Sequence, residues 1–280
     1  MPDRSEFTEK EFEGFLYNEL AVRPGLWTPD QVMEQYLGFD AAIVCAPYYW
    51  HFVGRSRPVG VVLPHIGLGA HTNIKRDTLP DFRFNLFVQA KRTWQYRRLP
   101  SKYRAKNISP PHRYLELVPE QRDTLAALAT HFGDLAAVTF AGANLMKKRQ
   151  LYELAKARGV LQNSTFPPIE KLVNHHRWLF NKPGASGFGL SEPEEIEAPD
   201  LLTRLRNARR DVQAPDLDIE GQLLILQSRL HAAFDDGPYS WLLELVPTDD
   251  NGGAFSIVRR ISFILNAIGV RWLVVGPLEQ

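Results

Sequence analysis

The sequence predicts an α/β protein of the α+β kind, a mixed sheet flanked by helices, and three observations carry that expectation. Short apolar runs of strand length, FNLFVQA at 84–90 and AAVTFA at 136–141, are separated by a segment of helical period, RDTLAALATHF. A first helix opens on a capping signal, and a last apolar run, VRWLVV, follows another helix through a glycine. With 280 residues, 44 % of them hydrophobic, the chain can bury a sizeable core.

Element by element, Thr8 to Val22 reads as a helix, with Thr8 and Glu11 as a capping box and Phe12, Phe15, Leu16 and Leu20 at helical spacing. Thr28-Pro-Asp-Gln31 repeats that start signal with proline at the first helical position, opening a short helix to about Leu37. Phe39 to Ala46, FDAAIVCA, is a strand. Tyr48 to Arg83 is irregular, with a strand at Val59 to Leu63 and a loop, HIGLGAH, that lacks the Lys-Ser/Thr ending of a phosphate loop. Phe84 to Ala90 is a strand, Pro119 to Phe132 a helix, Ala136 to Ala141 a buried strand and Leu145 to Arg158 a helix. Asn163 to Pro199, rich in Pro, Gly, Asn and acids, is expected to be loop. Asp200 to Arg210, Asp218 to Phe234 and Ile257 to Ile268 read as helices before the final strand. The division expected is a sheet core over 1–160, a loop-rich insertion over 161–199 and a helical portion over 200–280 that ends in a strand and packs on the core.

Lys plus Arg number 33 against 32 acids, so the net charge of +1 does not mark a nucleic-acid binder, and any signal lies in the distribution. The single cysteine, Cys45, excludes an internal disulfide and a thiolate zinc site, which fits a cytoplasmic protein. No run approaches the roughly 18 apolar residues of a membrane span, and the most apolar segment, Ile261 to Gly276, is interrupted by Asn266 and Arg271. A soluble protein without a membrane partner is expected.

Three features suggest chemistry. On a helical wheel Glu19 lies within the apolar arc of Phe12, Phe15, Leu16 and Leu20, and a carboxylate directed there needs a partner. Metal, lysine and backbone amides are all candidates for that partner. Asp40 heads the strand AAIVCA. Gln89 and Lys91 stand two apart on a strand, so they share one face.

A helix glutamate, an aspartate on a strand, then Gln-x-Lys on the next strand, then a helix and another strand resembles the PD-(D/E)xK nuclease superfamily. The run Val88-Gln89-Ala90-Lys91-Arg92 is similar to the Mrr-like restriction endonuclease variant with its QxK motif, and the resemblance covers roughly Phe7 to Ala141. It implies a restriction-endonuclease-like fold and a Mg²⁺- or Mn²⁺-dependent endonuclease acting on DNA in restriction or antiviral defence, as a homodimer or beside a partner subunit. By resemblance Asp40 would be the central metal ligand, the Gln89 carbonyl a second and Glu19 a third, with Lys91 orienting and helping to deprotonate the attacking water. Mg²⁺ takes oxygen ligands and needs few protein groups, which suits such a set. The sequence leaves Glu13 and Glu34 open as the helix carboxylate, and Asp81 open against Asp40. Asp40 and Gln89 stand 49 positions apart, so the segment between them is an insertion or holds a strand of its own. The uncharged Gln89 keeps open a second reading, a catalytically silent DNA-binding or scaffold subunit.

From Lys91 to Arg113 there are eight Lys or Arg residues and no acid, with Trp94, Tyr96 and Tyr103 interleaved. The plain reading is a solvated loop. Beside a phosphodiesterase centre, Arg92, Trp94, Arg97, Arg98, Lys102, Arg104 and Lys106 would instead form the surface that holds nucleic acid. Adjacent His175 and His176 point in different directions and lack metal-ligand spacing, so a structural role is expected.

Overall fold

The computed structural model describes residues 2–21, 26–27, 84–104, 108–210, 219–235, 237–246 and 254–275. In chain order these form β1 (Asp3–Arg4), α1 (Glu9–Ala21), β2 (Leu26–Trp27), β3 (Phe84–Lys91), β4 (Thr93–Tyr96), α2 (Ser101–Arg104), β5 (His112–Glu116), α3 (Pro119–Phe132) and β6 (Ala136–Ala143). There follow α4 (Lys148–Lys156), β7 (Ser164–Thr165), β8 (Arg177–Phe180), β9 (Gly187–Leu190), β10 (Glu194–Ile196), α5 (Leu201–Arg210), α6 (Ile219–Asp235), α7 (Trp241–Glu244), α8 (Ala254–Ala267) and β11 (Arg271–Val275). The α+β class expected from the sequence is what forms, built on two sheets.

The inner sheet has five strands in the order β2-β11-β3-β6-β7. β3 and β6 run parallel, joined by a crossover that carries α3, while β11 is antiparallel to β3 and β7 to β6. Every residue of β3 and β6 is buried, as a strand covered on both faces requires. Alternation divides β3 cleanly. Phe84, Leu86, Val88 and Ala90 pack with Phe12, Leu16 and Leu20 of α1, whereas Phe87 packs with α3, α6 and α8 through Phe132, Leu230 and Ile261. Asn85 shares the second face and accepts a hydrogen bond from Trp272 Nε1 at 2.9 Å.

α1 starts where its capping box requires. The Thr8 amide donates to Glu11 Oε2 at 2.9 Å and the Glu11 amide to Thr8 Oγ1 at 3.1 Å. α4 opens later than expected, at Lys148, whose amide donates to the Glu6 carboxylate at 3.2 Å while Leu145 is buried ahead of it.

The outer sheet is antiparallel, in the order β1-β4-β5-β8-β9-β10. β4 follows β3 after the single residue Arg92, so one ribbon of chain serves both sheets. On one face Trp94, Tyr114, Leu179 and Phe188 form a cross-strand row. The other face lies on the end of the inner sheet, with Thr93 Oγ1 donating to the Ala143 carbonyl at 2.8 Å and Trp178 Nε1 to Thr165 Oγ1 at 3.0 Å.

One expectation is corrected. The supposed loop over 163–199 contains β7 to β10, with β8, β9 and β10 forming one side of the outer sheet. Two of its glycines, Gly187 and Gly189, mark close packing, while Gly184 takes φ 64° in a turn. A Cβ at Gly187 would run into the Trp178 ring and one at Gly189 into the His175 ring, so bulky cross-strand neighbours fill the space a side chain would take. The portion over 200–280 is helical and ends in a strand that enters the inner sheet, with β11 between β2 and β3 and α6 and α8 covering one face of that sheet. No helix among the described residues is long and apolar enough to cross a membrane.

Candidate functional site at the end of strand β3

The two neighbours of β3 stop at different points. β6 keeps pace to the end, with Gly142 opposite Lys91, but β11 begins at Arg271 opposite Val88. Beyond Val88 the β11 side of the strand is met by the turn Ile268-Gly269, where Gly269 adopts φ 73°, a conformation that favours glycine. The Tyr17 hydroxyl of α1 donates to the Val88 carbonyl at 3.0 Å.

Gln89 is 3 % exposed and its Nε2 donates to the Ile268 carbonyl at 2.7 Å. A carbonyl only accepts, so the nitrogen of the amide must face it, and Oε1 takes the other side. That oxygen is buried and has no hydrogen-bond donor among the described residues. A buried acceptor left in this state costs about 1–3 kcal/mol.

Two residues on, Lys91 shares the face and is 7 % exposed. Its Nζ donates to Gln121 Oε1 of α3 and lies 5.7 Å from the centre of the Phe140 ring. Burial lowers the pKa of this amine below the ordinary lysine value, and the Glu9 carboxylate pulls the other way.

α1 runs antiparallel to β3, which sets its acids along the strand. Glu9 Oε2 accepts the Arg92 amide at 3.2 Å, and Tyr17 reaches Val88. Burial raises the pKa of the Tyr17 hydroxyl, and Glu13 adds to the rise. The Arg271 guanidinium lies 5.9 Å from the centre of the Tyr17 ring. Glu9 and Glu13 therefore belong to the Lys91 end of the strand.

Glu19 does not. The ten residues from Glu9 to Glu19 span about 15 Å of helix, and Glu19 accepts the amides of Val160 at 2.8 Å and Leu161 at 3.2 Å. The expectation of a metal-facing Glu19 is corrected on this point. The wheel gives its direction, and it is 6 % exposed as an inward carboxylate should be, but a wheel carries no axial position, and its Oε2 meets the amides of Val160 and Leu161. Glu9 escaped notice because an acid in the first turn already suits the helix dipole, and Gln121 offers no signal in sequence at all. Asp40, Asp81, Glu34 and Lys106 lie outside the described residues, as do the side chains of Lys102 and Arg104.

The basic run is drawn into the outer sheet. Arg92 donates through Nε to Ser5 Oγ at 3.3 Å and through its terminal nitrogen to the Ser5 carbonyl at 2.5 Å. Arg97 forms a forked pair with Asp3 at 2.9 and 2.7 Å, and Trp94 lies under the Arg4 guanidinium at 5.7 Å. Tyr103 is buried, and Tyr96 stacks on Tyr114 at 4.4 Å while accepting from Arg177 at 2.9 Å. Arg92, Trp94 and Arg97, expected on a nucleic-acid surface, thus tie the N-terminal segment to β4; Arg98 is exposed. His175 and His176 face different partners, Glu194 at 3.3 Å and Ser191 at 2.9 Å.

Among the described residues no three His, Cys, Asp or Glu side chains converge as a metal-binding group. The chain matches no family model, no curated protein and no solved structure.

Proposed function

We propose that this chain is a metal-dependent endonuclease of PD-(D/E)xK type, hydrolysing DNA phosphodiester bonds in restriction or antiviral defence. The observation that carries the reading is the buried Gln89 Oε1, an acceptor without a donor among the described residues, on the same strand face as buried Lys91. A hard carbonyl oxygen in that state fits Mg²⁺ or Mn²⁺, and with Asp40 it would hold the ion. A bound ion would supply charge neutralisation at the phosphate and hydroxide near neutral pH. Lys91 Nζ would orient the attacking water, and its burial favours the neutral amine that can take a proton. Glu9, whose charge acts on Lys91, is the α1 carboxylate nearest this end of β3, and it stands on the α1 face of the strand, opposite the face of Gln89.

The second reading, a catalytically silent scaffold subunit, is favoured by the engagement of Arg92 and Arg97 with Ser5 and Asp3, which takes that part of the basic run out of nucleic-acid contact. Cleavage of plasmid and single-stranded DNA with Mg²⁺ or Mn²⁺, comparing the wild type with Asp40→Ala, Gln89→Ala and Lys91→Ala, separates the two. Metal-dependent nicking that vanishes in the variants supports the enzyme. Equal nicking in all four proteins rejects this centre, and none in any with DNA bound points to the silent subunit.

A further inference from the structure

Resting on the nuclease reading, we propose that Gln121 is the positioning residue for Lys91, the group that fixes where the lysine nitrogen stands at the end of β3. A lysine head on four rotatable bonds has three donors and no intrinsic direction. Among the described residues Nζ makes one hydrogen bond, to Gln121 Oε1, with the Phe140 ring on another side. Both platforms are rigid. β3 and β6 are paired through Lys91, and α3 is anchored by Leu125, Leu128 and Phe132 in the core and by Arg122 donating to the His175 carbonyl at 3.0 Å.

The choice of an amide matters. Glutamine offers an acceptor without a countercharge, so it aims the nitrogen while leaving its charge state to the surroundings. A glutamate there would aim it equally well but would place a negative charge beside the phosphate the proposed enzyme must approach. Gln121 itself need not touch substrate; its effect passes through Lys91.

The test uses the full chain with Gln121→Met, which keeps length and helix preference but has no oxygen acceptor, and Gln121→Glu, which keeps the acceptor. Two readouts are taken: steady-state DNA cleavage with Mg²⁺, and proton–nitrogen NMR of the lysine Nζ groups at one fixed pH, with Lys91 assigned by its loss in Lys91→Arg. The wild type is expected to give a slowly exchanging Lys91 Nζ signal that persists in Gln121→Glu and disappears in Gln121→Met. The kcat of Gln121→Met should fall roughly ten- to a hundredfold with KM for DNA nearly unchanged, as a small misplacement near the reacting group predicts. A Nζ signal absent in the wild type, or unchanged in Gln121→Met, overturns the proposal whether or not DNA is cut. A wild type that cuts nothing under Mg²⁺ or Mn²⁺ sinks the nuclease reading instead, and the NMR arm then decides the role of Gln121 alone.

Discussion

The ribbon from Phe84 to Tyr96 crosses both sheets, and its two ends treat polar groups in opposite ways. In β3, Gln89 and Lys91 are buried, and one oxygen of Gln89 finds no donor among the described residues. Past Arg92, the charges are nearer water yet better matched: Arg92 holds Ser5 and Arg97 holds Asp3 through a two-pronged bond. Burial with incomplete pairing is costly, whereas exposed pairing is cheap and contributes little. A chain that accepts the first where apolar residues would pack well is consistent with the use proposed for Gln89 and Lys91, whereas Arg92 and Arg97 of the basic run serve as ties to the N-terminal segment.

On the nuclease reading, Lys91 carries the largest expected effect. Lys91→Met should cut DNA about 10²–10⁴-fold more slowly, as loss of a proton-handling group does, while its urea midpoint stays level or rises because an amine no longer has to be buried. A midpoint that drops with activity would make Lys91 structural. Glu19 is the control for a buried charge that is well supplied. Glu19→Leu strips a carboxylate from two buried amides and should lower stability by about 2–4 kcal/mol, read by denaturant unfolding, with cleavage per folded molecule unchanged. Gly269→Ala tests the turn that holds Gln89. The new methyl meets nothing closer than Gln89 Nε2 at 3.7 Å, so the loss of about 1–2 kcal/mol would come from forcing a positive φ on alanine. At the exposed end, Arg97→Ala should leave the midpoint unmoved in the same assay, the pair being open to solvent on both sides.

The smallest effect concerns pH. Lys148 first and the Thr8 amide second hold the Glu11 carboxyl at about 2, against an ordinary 4.5. A depressed carboxylate stabilises the fold fully above its unfolded value and loses that contribution as pH falls toward the folded value. Unfolding midpoints measured from about pH 5 downward should therefore fall less steeply in Lys148→Met than in the wild type, by a margin that high salt erases.

How much of this was legible in the sequence depended on whether a residue's role is local. The α1 capping box, α3 from Pro119 to Phe132 and the buried runs of β3 and β6 follow from period and end signals, which neighbours in sequence supply. Gln89 and Lys91 on one face follow from strand alternation alone. What failed needed a partner far along the chain. Gly187 and Gly189 read as loop because the rings of Trp178 and His175 that fill their space cannot be inferred from composition. Glu19 read as a ligand because its two amides are those of Val160 and Leu161, 141 and 142 positions away. Gln121 meets Lys91 only once α3 has crossed back over the sheet.

The turn that holds Gln89 has a consequence for how the protein comes into being. Ile268 stands 179 positions after Gln89, and Trp272, which binds Asn85, stands 187 after it. As the chain emerges from the ribosome, β3 has its parallel neighbour β6 long before β11 can close its other flank. Up to that moment the Gln89 amide has no carbonyl to hold it, and the two faces of the inner sheet are incompletely covered. A centre at this place, if it acts as proposed, would therefore stay incomplete on any nascent or truncated chain that stops short of Ile268.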